Sequence, residues 1–121
     1  MAFLGPESKW AAEASECAGE QSKFWEYHDK LFVSHSGENQ GAFNKENLKR
    51  LAVDLKLDAA KFNACVDSGK FASVVENETA YVQSLGVTST PAFLINGQPL
   101  VGAQPIEQFR QVIEAERSKK K

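Results

Sequence analysis

The chain has only two cysteines in 121 residues, and they are not spaced as a CxxC pair. Two are too few for a disulfide-framework miniprotein or for a four-cysteine zinc site. No run approaches the about 18 apolar residues that span a membrane, so no membrane partner is expected. No excess of positive charge is present either: net charge is −2, which gives no footing for nucleic-acid binding through bulk charge. Glycine is present at an ordinary level and proline is scarce, with 8 and 4 residues. There is no low-complexity linker and no internal repeat, and the length favours a single domain over 1–121.

What is present is mostly helical periodicity. Gly5-Pro6-Glu7 opens a helix with proline in its first turn. Trp10, Ala11, Ala14, Cys17 and Ala18 follow at helical spacing, and Gly19 interrupts. Phe24, Tyr27, His28, Leu31 and Phe32 then form an amphipathic stripe, with Trp25 one step around. The polar stretch 34–41 reads as a loop. Asn44 and Asp58 are candidate N-caps. The first precedes a stripe of Leu48, Leu51, Ala52 and Leu55, the second one of Phe62, Cys65 and Val66 that ends at Gly69. A longer helix over about 70–85 carries Phe71, Val74, Val75, Glu78, Tyr81, Val82 and Leu85, and Gly86 stops it. Pro105 opens a last helix with Ile106, Phe109, Val112 and Ile113 facing inward.

Between these helices lies VTSTPAFLINGQPLVG, residues 87–102. A Thr90-Pro91 step precedes a short apolar strand, Ala92 to Ile95. Asn96-Gly97 is a strong hairpin signal, because both central residues of the favoured turn need positive φ. A second strand ends near Gly102.

Candidate chemistry is sparse. Cys17 and Cys65 both fall inside helices on apolar faces and lack the spacing that activates a redox pair, leaving buried thiols or a structural bond. Cys17 and His28 are eleven residues apart, roughly 16 Å along a continuous helix. Zinc ligands each lie about 2 Å from the metal, so Cys17, His28, His35 and Cys65 are expected to hold none. No cofactor is expected. His28 reads as a partly buried helix residue, His35 as an exposed loop residue and Glu78 as a boundary or exposed acid. The aromatics Phe24, Trp25, Tyr27, Phe32, Phe43, Phe62, Phe71 and Tyr81 read as core. The basic end, Arg117 with Lys119-Lys120-Lys121, reads as a solvated tail suited to the negative pole of a helix.

Three stretches together resemble the DsbA-like thiol-disulfide oxidoreductases, which have a thioredoxin fold with a helical insert. AAEASECAGEQSKFWEYHDKLF and FNKENLKRLAVDLKLDAAKFNACVDSGK are similar to the insert. LGVTSTPAFLINGQPLVGAQPIEQF is similar to the family's cis-proline hairpin and closing helix. The resemblance covers about residues 5–114 and implies an α+β, mostly helical, truncated thioredoxin-like fold. Residues 6–86 would be the insert region, and 87–118 the hairpin and C-terminal helix. It also implies a cis bond at Thr90-Pro91, with Thr90 and Pro91 as a substrate-binding edge, and a structural disulfide between Cys17 and Cys65. A bond closing a loop of that size stabilises by about 4 kcal/mol in a chain-entropy treatment.

The family's strand–CxxC–helix–strand portion matches no position here, although Ala2-Phe3-Leu4 reads as a remnant of its last strand. The family activity is protein-disulfide oxidation and reduction. Without CxxC no catalytic residue carries over, and the chain alone is expected to lack that activity. Two alternatives are a peptide- or protein-binding module using the cis-proline edge, and one half of an oxidoreductase completed by another chain. The unpaired side of strand 92–95 implies a homodimer that shares a sheet, with 2–4 as a further contributor. The start MAFLGPESKW lacks a basic n-region, so the chain as written is expected in the cytoplasm. As part of a longer DsbA-like precursor it would be periplasmic or exported.

Overall fold

A computed structural model describes residues 2–119. The element order is α1 (Pro6–Gly19), α2 (Phe24–Ser34), α3 (Lys45–Asp54), α4 (Ala59–Ser68), α5 (Ala72–Ser84), β1 (Ala92–Ile95), β2 (Gln98–Val101) and α6 (Ile106–Ser118). This is the α+β, mostly helical class. The chain divides into two compact units, Met1–Tyr81 and Val82–Lys121, a boundary a few residues before the expected division at 86/87.

Local signals explain the helices of the first unit. Pro6 fills the first turn of α1, where its missing N–H costs nothing. After Gly19 the chain doubles back through Ser22, at φ 60, and the Lys23 N–H bonds to the Ala18 carbonyl at 3.0 Å. Asn44 caps α3, its side chain accepting from the Asn47 N–H at 2.8 Å. Asp58 caps α4 in the same way, accepting from the Lys61 N–H at 3.1 Å. Gly69, at φ 64, closes α4 in the left-handed conformation that glycine adopts without penalty.

The core of this unit joins four helices. Ala14, Cys17 and Ala18 come from α1, Tyr27 from α2, Leu48 and Ala52 from α3, and Phe62, Cys65 and Val66 from α4, with Leu57 between the last two. Tyr27 and Phe62 are fully buried, their rings 5.5 Å apart. The Tyr27 hydroxyl donates to the Leu48 carbonyl at 2.9 Å, so the phenol is buried without an orphaned donor.

Several expected core positions are open. Trp25, Phe32 and Tyr81 are exposed, while Phe24, Phe43 and Phe71 are half-buried. Trp25 and Phe32 are seven positions apart on the outward side of α2, each in ring contact with His28. Of the α5 stripe only Val75 is buried; Val74 and Leu85 are exposed, as is Glu78. On α6, Ile106 and Ile113 are exposed, and Phe109 and Val112 half-buried. Periodicity locates an apolar face but cannot say whether the chain holds anything large enough to cover it. In the second unit a two-stranded hairpin is too small a cover for α6. Residues 2–4 form no strand. Instead the Ala2 N–H donates to Thr79 Oγ1 at 3.0 Å.

Candidate functional site

In the second unit, β1 and β2 pair antiparallel with Ala92 opposite Val101, Phe93 opposite Leu100, Leu94 opposite Pro99, and Ile95 opposite Gln98. Asn96 (φ 50) and Gly97 (φ 85) form the two-residue turn, which is the reason this dipeptide suits the position. The turn makes Ile95–Gln98 and Phe93–Leu100 the hydrogen-bonded pairs. The next step of that alternation is the bond from the Gly102 N–H to the Pro91 carbonyl at 2.8 Å. The intervening residues, Ala92 and Leu94 on β1 and Pro99 and Val101 on β2, turn their backbone groups outward.

The two edges are therefore unequal. Proline at 99 removes an outward donor from β2, a device that closes an edge to further pairing. On β1 the outward amides of Ala92 and Leu94 remain available. The Thr90–Pro91 peptide that leads into this strand is cis. Both residues are exposed, and among the described residues Thr90 makes no hydrogen bond.

One face of the hairpin meets α6: Phe93 touches Phe109 edge-to-face, 4.9 Å between ring centres, yet stays 41% exposed. On the other face Leu94 and Val101 are about half exposed. A groove of about 200 Å³ beside β1 is lined by Val82, Leu85, Val87, Ala92, Phe93 and Leu94. An open strand edge and an apolar groove at one strand suit an extended peptide, with backbone bonds for affinity and the groove for side chains.

The first unit holds both sulfurs. Cys17 of α1 and Cys65 of α4 form a disulfide with 5.9 Å between Cα atoms, and no free cysteine remains among the described residues. It flanks a cleft of about 710 Å³. Gln21 and Asp58 exchange two bonds near it: the Asp58 N–H donates to Gln21 Oε1 at 2.8 Å, and Gln21 Nε2 donates to the Asp58 carbonyl at 3.2 Å. Glu20 pairs with Lys70 across the same cleft.

The histidines are separate from this chemistry. His28 Nδ1 lies 3.0 Å from the Asp29 carboxylate, and exposed His35 has its ring 5.9 Å from that of Phe43. Among the described residues no three His, Cys, Asp or Glu side chains converge as a metal site would need. No helix of the described residues is long and apolar enough to cross a membrane. At the basic end, Arg117 pairs with Glu114 and Lys119 with Glu116; Lys120 and Lys121 lie outside the described residues.

Sequence reading missed Glu7. This buried carboxylate accepts from the Gly41 N–H at 2.7 Å and the Phe43 N–H at 2.8 Å. It looks like an ordinary first-turn acid, and no local pattern marks a bond partner more than thirty residues away. The pairing of Gln21 with Asp58 was hidden for the same reason.

Comparison with known proteins is consistent across sequence and fold. A family model described as Thioredoxin matches residues 2–115. Disulfide bond formation protein D of Bacillus subtilis is 29% identical over 119 residues, covering 94% of this chain and 53% of that protein. The Na(+)/H(+) antiporter NhaA of Herminiimonas arsenicoxydans is 34% identical over 112 residues, covering 93% of this chain and 17% of the antiporter. The crystal structure of a thioredoxin-like oxidoreductase from Silicibacter pomeroyi DSS-3 superposes with a TM-score of 0.75 at 24% identity. That match covers 96% of this chain and 64% of the other, a likeness of fold. The chain thus spans about one sixth of the antiporter and about half of the disulfide bond formation protein. It belongs to the thioredoxin family, and its helical insert, hairpin and closing helix place it with the DsbA-like members.

Proposed function

We propose that this chain is the insert-and-hairpin portion of a DsbA-like thioredoxin fold, without protein-disulfide oxidoreductase activity of its own. We further propose that it binds an extended strand at the open edge of β1, next to Thr90 and Pro91. The observation that carries the first part is the sulfur inventory: two cysteines, no CxxC, and a disulfide between the two. Protein-disulfide exchange of the family type needs an activated thiolate with a partner three positions away, and no position supplies one.

The observation that supports the second part is the asymmetry between outward Leu94 and Pro99. The strand that fills the edge is a peptide, a partner protein, or the CxxC-bearing half of the fold on another polypeptide. That the chain spans 53% of disulfide bond formation protein D and 64% of the solved relative leaves room for such a half. A second copy of this chain fits the same edge. The Ala2 N–H, tied to Thr79, does not favour a part for residues 2–4 in that dimer. The Cys17–Cys65 bond supports residence in an oxidising, exported compartment, where disulfides persist.

Amide hydrogen exchange tests the binding site. A strand-forming peptide should protect the amides of Ala92 and Leu94 selectively. Protection that instead rises with protein concentration alone assigns the edge to a second copy. Unchanged exchange at both amides under both conditions removes the edge from the account.

A further inference from the structure

The Cys17–Cys65 bond lies in the buried core but borders a cleft. Cys65 retains 7% exposure against 1% for Cys17, and both line the cleft of about 710 Å³ between the end of α1 and α4. Two polar ties frame that cleft without using sulfur. Gln21 is bonded to Asp58 at the start of α4, and Glu20 is paired with Lys70 just beyond its end. The turn after α1 is thus tied to both ends of α4 by contacts that do not involve the sulfurs.

We propose that this pair is a thiol–disulfide exchange site for low-molecular-weight thiols, which enter through the cleft and attack Cys65. A thiolate bonds to Cys65 Sγ as the Cys17–Cys65 bond breaks, and the electron pair leaves on Cys17 Sγ, which takes a proton from water. A second thiolate attacks the small-molecule sulfur of the adduct, forms the small-molecule disulfide and frees Cys65, which is protonated in turn. Two thiols are oxidised to one disulfide, and the protein gains two electrons and two protons. The reverse sequence, with a small-molecule disulfide as oxidant, closes the bond. A small thiol fits better than a protein dithiol because both cysteines are buried residues that line the cleft and a redox protein must bring its own backbone up to its target. The pair so read follows the thiol–disulfide ratio around it, independently of peptide binding at β1.

The test is reduction of the intact folded chain by glutathione, with acid quenching and mapping of the mixed disulfide by peptide mass spectrometry. The expected rate is linear in thiol, is unchanged by urea well below the unfolding midpoint, and gives an adduct on Cys65 in about tenfold excess over Cys17. Ala64, exposed on α4 and lining the cleft, offers a plug. Ala64→Phe should slow reduction about tenfold with the thermal midpoint unchanged. If that variant does not fold, the rate law and adduct site of the unaltered chain decide. A rate that saturates with thiol and climbs with urea would mean attack only on unfolded chains and overturns the proposal. Equal adducts on both cysteines, or faster reduction by an equimolar protein dithiol, overturn it as well.

Discussion

Leu94 and Pro99 face one another across the hairpin at a position where neither backbone bonds to the other strand. Leu94 turns an amide donor outward, and Pro99 turns outward a nitrogen with no hydrogen. This residue pair leaves β1 its outward donor and removes one from β2, and the proposed binding rests on that difference.

Leu94→Pro is the direct variant. Its lost N–H is not used within the hairpin, so the antiparallel pairing should survive and the open edge should close. Peptide binding followed by isothermal titration calorimetry should fall at least about tenfold, a difference of about 1.4 kcal/mol. Pro99→Thr, which adds a donor on the far edge, should leave that binding unchanged.

Burial raises the Tyr27 hydroxyl above its usual range. For an acid whose folded value lies above its unfolded one, the folded state holds the proton more tightly. That contribution is complete below the unfolded value, about 10, and is lost as pH rises above it, by up to about 1.4 kcal/mol per pH unit. Urea unfolding between neutral pH and pH of about 11 should show this decline. Tyr27→Phe should flatten the Tyr27 part of the slope and cost about 1–2 kcal/mol at neutral pH, through the bond lost to the Leu48 carbonyl.

Glu7 anchors the loop before α3 by two backbone bonds. Glu7→Gln keeps the shape but leaves one oxygen for two donors. It should destabilise by about 1–3 kcal/mol and speed hydrogen exchange at Gly41 and Phe43 above that at Leu48.

Much of this architecture is legible in the chain itself. Asn44, Asp58 and Gly69 mark helix ends by chemistry acting within three or four residues. Asn96-Gly97 fixes the hairpin register, and with it the outward placement of Leu94. What the sequence hides is coverage and distance. Ile106 and Ile113 have the periodicity of a buried face, yet remain exposed beside a hairpin too small to cover them. Trp25 and Phe32 belong to an aromatic run in which only Tyr27 reaches the interior. Glu7, and the pairing of Gln21 with Asp58, depend on residues brought together by the whole helical packing.

Replacing both Cys17 and Cys65 by serine should lower stability by about 4 kcal/mol in the chain-entropy treatment, read from urea midpoints under oxidising conditions. Peptide binding at β1 should be unaffected.

As proposed above, this chain carries no protein-disulfide oxidoreductase activity by itself. The most direct measurement is insulin reduction in dithiothreitol, comparing the intact chain, the double-serine variant and dithiothreitol alone. The same precipitation rate is expected in all three. Faster precipitation with the intact chain than with the double-serine variant would contradict it, by showing that Cys17 and Cys65 exchange with protein disulfides.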